Sequence, residues 1–198
     1  MNIKTFLRRR RLLRAIFTIP KKLLFEPLDA GDVVFLGDSL TGDCRWSELF
    51  ENRHLKNRGI GGDTTQDVLD RLDSITKAKP SKIFLMIGVN DFANGFSESA
   101  ILGNYRQILL RIKEGSPETS IYVQSILPTN ALEGHNREVI TDLNSGLSQT
   151  CNELGANFID LYSRFVKDGD LNEAYTYDGL HLNGSGYHVW KEAIAGLV

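Results

Sequence analysis

Cysteine, proline and long apolar runs are scarce in this sequence of 198 residues. Two cysteines, Cys44 and Cys151, are too few for a disulfide framework, so we expect two reduced thiols. No apolar run reaches the roughly 18 residues that a membrane-spanning helix needs, and we therefore expect none. Only 5 residues are proline, whereas 41% are hydrophobic and 24% are charged. This composition is typical of a soluble globular protein, and the length favours one domain.

The charged residues are unevenly distributed along the chain. Residues 1–30 contain eight Lys or Arg and two acidic residues, a net charge of +6, which leaves 15 basic and 23 acidic residues, a net charge of −8, in the other 168. We therefore predict a basic N-terminal extension over residues 1–30 and a single domain over residues 31–198. The acidic domain argues against nucleic-acid binding, because phosphate recognition needs a clustered basic face.

The role of the basic extension has three open interpretations. Its apolar stretch, residues 15–19, is too short for a signal peptide, and we expect a cytoplasmic protein. Residues 8–11 are four arginines, and at about 100° per residue they spread over about 300° of a helix rather than one polar face. The extension can pack on the domain or on a neighbouring subunit of a homo-oligomer. It can also make a peripheral membrane contact through residues 3–25, or be disordered or contact nucleic acid.

Beyond the extension, short apolar runs alternate with helical patterns. We predict strands at residues 32–37, 82–88, 120–126 and 157–160, and a weaker one at 55–58. Continuous apolar runs of this kind are typical of strands buried on both faces of a parallel sheet. Helical periodicity fills the intervals, with a capping box at Thr64 and Asp67 and an apolar stripe that places Cys151 in the core. The alternation predicts an α/β fold, a three-layer α/β/α sandwich with a mainly parallel sheet.

Polar residues follow the predicted strands where such a sheet binds its ligands. Ligands of open parallel sheets lie beyond the carboxyl ends of the strands. Ser39 follows the first strand, Gly62 the second and Asn90 the third, while Asp178 and His181 precede the last helix. We expect these five residues to meet at one edge of the sheet.

The residue types at this edge suit acyl transfer. A serine is a nucleophile only when a base takes its proton, and the alternative for Ser39 is an N-cap serine. Asp178 can hold one imidazole nitrogen of His181 while the other faces Ser39, and the alternative is a surface histidine in a turn. We interpret the remaining histidines as ordinary ones: His54, His135 and His188.

Acyl transfer also needs hydrogen-bond donors for the oxyanion. The backbone N–H groups of Ser39 and Gly62 and the side-chain amide of Asn90 are the candidates. Taken singly, Gly62 is equally consistent with a flexible turn and Asn90 with a turn former. Their occurrence at successive strand ends favours the oxyanion role.

These motifs resemble four blocks of the GDSL, or SGNH, hydrolase family, in the family's order over residues 32–198. The blocks are Gly37-Asp38-Ser39-Leu40, Gly62 within residues 58–64, Gly88-Val89-Asn90-Asp91 and Asp178-Gly179-Leu180-His181. The sequences GIGGDTT and DGLHLN are most similar to those of platelet-activating-factor acetylhydrolase-like and lysophospholipase-L1-like members. The α/β-hydrolase nucleophile motif G-x-S-x-G is excluded, because Thr41 stands where it requires glycine.

The resemblance implies a flavodoxin-like sheet of order 2-1-3-4-5, with Ser39 as nucleophile, His181 as base and Asp178 as its orienting carboxylate. It also implies oxyanion donors at Ser39, Gly62 and Asn90, an acyl-enzyme, and no metal or cofactor. We expect an esterase acting on short-acyl or acetyl esters of a small lipid or glycan. The alternatives are an acyl-thioesterase or lysophospholipase, and a non-catalytic membrane-associated binding module. Three aromatic residues serve either an acyl pocket or packing: Trp46, Phe92 and Phe96.

Overall fold

The centre of the protein is a sheet of five parallel strands in the order β2-β1-β3-β4-β5. The computed structural model describes residues 26–130 and 136–198. The strands are β1 (Val33–Gly37), β2 (Leu55–Gly59), β3 (Lys82–Met86), β4 (Ser120–Gln124) and β5 (Asn157–Ile159). The predicted α/β/α sandwich and its flavodoxin-like strand order are confirmed.

Helices connect successive strands and cover the sheet. They are α1 (Ser39–Gly42), α2 (Trp46–Leu49), α3 (Thr65–Arg71), α4 (Asp73–Thr76), α5 (Val89–Ala93), α6 (Glu98–Gly115), α7 (Asn136–Leu154), α8 (Tyr162–Phe165) and α9 (Gly184–Ile194). A small antiparallel hairpin, β6 (Val166–Lys167) and β7 (Asp170–Leu171), precedes a 3-10 turn at Glu173–Tyr175. None of the helices in the described ranges is both long and apolar enough to cross a membrane.

The register of the three neighbouring strands β2, β1 and β3 aligns their carboxyl ends. Gly37 of β1 lies opposite Gly59 of β2 and opposite Met86 of β3. All five residues of β1 are buried, as its continuous apolar sequence predicts for a strand covered on both faces. The loops that follow these strands therefore begin side by side at one edge.

An aromatic stack runs across the sheet into the helical layer. Ring centroids are separated by 4.8 Å between Tyr122 and Phe84, 5.0 Å between Phe84 and Phe35, and 4.0 Å between Phe35 and Trp46. The Trp190 ring of α9 meets Trp46 edge-on at 5.0 Å. Trp46 is thus a core residue, and of its two predicted roles the structure supports packing.

The predicted elements agree with the observed ones to within about two residues at the strand ends. Both hydrogen bonds of the capping box at Thr64 and Asp67 are present, and Cys151 lies in the core. The helical pattern after Thr64 is divided at Leu72 into α3 and α4, and the β6–β7 hairpin is an element that the sequence did not predict. Residues 1–25 and His135 lie outside the described residues.

Candidate active site

Ser39 is the first residue of α1, directly after β1 and the Asp38 linker. Asp38, not Ser39, caps this helix: its Oδ1 accepts a hydrogen bond from the Leu40 N–H at 3.0 Å. The interpretation of Ser39 as an N-cap is therefore wrong, and its side chain is available for another contact. Outer residues fix the loop, because the Tyr187 hydroxyl donates to the Leu40 carbonyl at 2.9 Å and the Trp46 Nε1–H to the Thr41 carbonyl at 2.9 Å.

The structure brings Ser39, His181 and Asp178 into one hydrogen-bonded chain. Ser39 Oγ lies 3.0 Å from His181 Nε2, and His181 Nδ1 lies 2.7 Å from Asp178 Oδ2. Ser39 is 6% exposed and His181 is 3% exposed, so His181 is not a surface histidine. Water competes little for the hydrogen bond between Ser39 and His181, whereas the Asp178 side chain at the other end of the chain is 38% exposed.

The loop over residues 176–181 holds the carboxylate in place. Asp178 Oδ1 accepts hydrogen bonds from the N–H groups of Leu180 at 3.0 Å and His181 at 2.7 Å. Thr176 Oγ1 donates to the His181 carbonyl at 2.6 Å and accepts from the Gly179 N–H at 2.9 Å. Burial alone would raise the pKa of Asp178, but the hydrogen bonds from His181 and Leu180 outweigh it, and the pKa lies below its ordinary value.

The other two predicted oxyanion donors, Gly62 and Asn90, follow the neighbouring strands β2 and β3. Gly62 has a φ of 79°, a left-handed conformation that favours glycine in the tight turn after β2. Asn90 is buried at the start of α5, and its Nδ2 donates one hydrogen to the Asp63 carbonyl at 2.9 Å. An amide nitrogen carries two hydrogens, so Asn90 keeps a second donor. Within the described ranges, the N–H groups of Ser39 and Gly62 have no hydrogen-bond acceptor.

A small, mostly apolar cavity is lined by Asp38 and Leu40, the residues on either side of Ser39 in the sequence, but not by Ser39 itself. Its volume is about 10 Å³, room for about one water-sized group. The lining residues come from four separate segments: Asp38, Leu40, Met86, Val89, Ile126, Leu127, Pro128 and Leu180. Trp46, Phe92 and Phe96 are absent from this lining, so the interpretation of these aromatics as an acyl pocket receives no support from the cavity.

Two buried carboxyl groups near the site were not singled out from the sequence. Burial raises the pKa of Asp38 to about 7, and the negative charges of Asp63 and Asp91 add to the shift. Burial also raises the pKa of Asp91 to about 6, against hydrogen bonds from Thr65. The Thr65 N–H and Oγ1 donate to Asp91 at 3.0 and 2.5 Å. Their positions in the sequence could have indicated them, because Asp38 directly precedes Ser39 and Asp91 directly follows Asn90.

A buried serine hydrogen-bonded to a carboxylate-linked histidine is the arrangement of serine hydrolases. The model of the GDSL-like Lipase/Acylhydrolase family matches residues 35–189. Platelet-activating factor acetylhydrolase IB subunit alpha1 of Bos taurus is 34% identical over 167 residues, which cover 79% of this chain and 70% of that protein. The alpha2 subunit of Rattus norvegicus is 35% identical, with coverages of 79% and 71%.

Structural comparison gives the same assignment. A GDSL-like lipase from Bacteroides thetaiotaomicron superposes with a TM-score of 0.73 and 25% identity, covering 96% of this chain and 95% of that one. The chain belongs to the GDSL-like lipase and acylhydrolase family. The protein is accordingly a carboxylic ester hydrolase.

Proposed function

We propose that this protein is a serine esterase that forms an acyl-enzyme on Ser39. The observation that carries the proposal is the hydrogen-bonded chain from Ser39 through His181 to Asp178. Asp178 is an acceptor, so the hydrogen-bond pattern assigns a proton to His181 Nδ1 and leaves the Nε2 lone pair facing the serine hydroxyl. His181 is then the base and Asp178 fixes its tautomer and stabilises its charged form.

The proposed reaction has two halves. In the first, Ser39 Oγ attacks the ester carbonyl as its proton moves to His181 Nε2, and the oxyanion is bound by the N–H groups of Ser39 and Gly62 and the amide of Asn90. Collapse of the intermediate releases the alcohol, which takes the proton from His181. In the second, water attacks the acyl-enzyme as its proton moves to His181, and collapse of this intermediate returns the proton to Ser39 Oγ and releases the acid.

We further propose that the acyl group is short, an acetyl group in the first instance. The cavity lined by Asp38 and Leu40, the two neighbours of Ser39 in the sequence, has a volume of about 10 Å³, room for one small group. Leu40, Val89 and Leu180 form part of its apolar lining. The name of the curated relatives, platelet-activating factor acetylhydrolase, agrees with an acetyl group. The alcohol component is proposed to be a small lipid or glycan.

A series of p-nitrophenyl esters of increasing acyl length tests this proposal. The expected result is that kcat/KM is highest for the acetate and falls steadily through the butyrate to the octanoate. A maximum at the octanoate would contradict the short-acyl proposal and favour the lysophospholipase alternative. Acetyl and octanoyl thioesters of one thiol, measured in parallel, distinguish the thioesterase alternative, which predicts faster turnover of thioester than of oxygen ester.

The location and partners stay predictions. Peripheral membrane contact concerns residues 3–25, all of which lie outside the described part of the chain. Full-length protein mixed with anionic and with neutral lipid vesicles tests that contact: pelleting with anionic vesicles alone, lost at high salt, would support it. Equal recovery in the supernatant with both vesicles would contradict it. The cytoplasmic location and the homo-oligomer are likewise proposals.

A further inference from the structure

Two of the three proposed oxyanion donors depend on the position of one residue, Asp63. Its N–H donates to the Ile60 carbonyl at 3.0 Å, which closes the turn that contains Gly62. Its carbonyl accepts from Asn90 Nδ2 at 2.9 Å, which orients that amide. Gly62, whose N–H is one proposed donor, is therefore the direct chain neighbour of the residue whose carbonyl orients the Asn90 donor. Any shift of Asp63 moves both.

The side chain of Asp63 is held by Arg71, the last residue of α3. Arg71 Nε donates to Asp63 Oδ2 at 2.9 Å, and the Asp63 side chain is 0% exposed while that of Arg71 is 11% exposed. The other end of the guanidinium reaches two strand ends, because Nη2 donates to the Gly37 carbonyl at 3.1 Å and to the Arg58 carbonyl at 2.8 Å. Gly37 lies two positions before Ser39. Arg71 thus links the strand that leads to the proposed nucleophile with the loop that carries the oxyanion donor.

Helix α3 is fixed at its other end by the residue next to Asn90. The Thr65 N–H and Oγ1 donate to Asp91, at the first turn of α3. The helix is therefore hydrogen-bonded at its start to Asp91 of α5 and at its end to Gly37 of β1, to Arg58 of β2 and to Asp63 in the loop after β2. Asn90, Ser39 and Gly62 each lie within two positions of one of these residues in the sequence.

Stability alone is a poor explanation for the Arg71–Asp63 pair. A buried ion pair rarely stabilises a fold more than apolar side chains of the same volume would. Gly59 ends β2 and the loop that follows contains Gly61 and Gly62, and such a backbone has the greatest conformational freedom to lose. Oxyanion donors are effective only when they are held in place before the reaction. The hydrogen bond from Arg71 to Asp63 fixes this glycine-rich loop and so meets that requirement.

We propose that Arg71 is a positioning residue for the oxyanion hole, which it sets through Asp63. The inference rests on the proposed function. It predicts that loss of the guanidinium fork lowers kcat while substrate binding is retained, because displacement of catalytic groups by about 1 Å can cost roughly a hundredfold in rate. A lysine at this position would keep the charge but not the simultaneous bonds to a carboxylate and two carbonyls.

The test compares full-length Arg71→Lys, Arg71→Gln and Arg111→Gln with the parent, using p-nitrophenyl acetate. Arg111 is the matched control: it also binds a carboxylate, Asp73 at 2.6 Å, and a backbone carbonyl, Leu69 at 3.1 Å, but on a partly exposed surface. We expect kcat to fall about 10- to 100-fold in the folded Arg71 variants with KM changed less than about threefold. Arg111→Gln should match the parent in kcat.

A second comparison separates positioning from general support of the fold. In an Asn90→Ala background one positioned donor is already absent, so Arg71→Lys should lower kcat by a clearly smaller factor than in the parent. The inference would be overturned if Arg71→Lys lowered kcat by the same factor in both backgrounds, or if Arg71→Lys alone kept the kcat of the parent. If Arg71→Gln does not fold, the result for Arg71→Lys decides. An inactive parent would instead contradict the proposed function, and the inference with it.

Discussion

Ser39 Oγ and His181 Nε2 lie 3.0 Å apart although 142 positions separate the two residues in the sequence. Helix α9, which begins shortly after His181, returns to the same loop, because the Tyr187 hydroxyl donates to the Leu40 carbonyl at 2.9 Å. The first strand and the last loop of the domain are thus joined on both sides of the serine. The proposed catalytic chain therefore depends on tertiary contacts between the segment after β1 and the region around the start of α9.

Replacement of Asp178 by asparagine tests its proposed role of orienting His181. The asparagine side chain would offer an amide in place of one carboxylate oxygen, so the imidazole would favour the tautomer that turns a hydrogen toward Ser39. A roughly 10³- to 10⁴-fold fall in kcat is expected, as for the corresponding change in a serine protease. The measurement is kcat for p-nitrophenyl acetate together with circular dichroism to show that the variant is folded. A loss of less than about tenfold in a folded Asp178→Asn variant would argue against this role.

Enlarging the cavity beside Ser39 should change the preference for acyl length. Leu180 is 6% exposed and lines the cavity, so Leu180→Ala should raise the butyrate-to-acetate ratio of kcat/KM. The variant should also lose about 2–5 kcal/mol of unfolding free energy, the usual cost of a buried Leu→Ala change. Leu171→Ala is the control, because Leu171 is also buried but does not line the cavity. If both variants keep the parent's ratio, the cavity does not bind the acyl group.

The raised pKa of Asp38 has a consequence for stability against pH. The folded protein holds this proton up to a pKa of about 7, whereas the ordinary value is 3.8. Between these values the native state binds more protons than the unfolded state, so this contribution to stability is complete below about pH 4 and is lost as pH rises to about 7. Where the native state binds one proton more than the unfolded state, the free energy of unfolding falls by about 1.4 kcal/mol per pH unit.

Asp38→Asn should remove this part of the pH dependence. The amide oxygen can still accept from the Leu40 N–H, while no proton is left to titrate. Urea unfolding at pH 5 and pH 8 should show a smaller loss of unfolding free energy for the variant than for the parent, by roughly 1–3 kcal/mol. Asp142→Asn, which changes an exposed carboxyl group of α7 that does not contribute to the Asp38 shift, should keep the pH dependence of the parent. Equal pH dependence in parent and Asp38→Asn would contradict the account.

Much of the fold and part of the site could be predicted from the sequence. Continuous apolar runs identify β1 and β3 because both faces of these strands are covered, and strand-end motifs indicate Ser39, Gly62 and Asn90 because parallel strands end at one edge. The β6–β7 hairpin has only two residues in each strand, too few for a periodic pattern. This hairpin could have been predicted only from its turn-forming residues, not from the spacing of its hydrophobic residues.

The cavity and the Arg71–Asp63 pair could not be predicted in the same way. The cavity is formed by residues from the segments at the carboxyl ends of β1, β3 and β4 and from the loop before α9, and its small size depends on how these side chains pack. Arg71 is eight positions from Asp63 and occupies an ordinary place at the end of a helix, where arginine is common. Only the three-dimensional register shows that its guanidinium lies under the carbonyls of Gly37 and Arg58.

The central claim, an acyl-enzyme on Ser39, is tested most directly by fluorophosphonate labelling of the parent and of Ser39→Ala, with the modified residue identified by mass spectrometry. The account predicts one label on Ser39 of the parent and none on the variant, together with a loss of p-nitrophenyl acetate hydrolysis by orders of magnitude. An unlabelled but folded parent, or a variant that keeps more than about a tenth of the parent's rate, would contradict it.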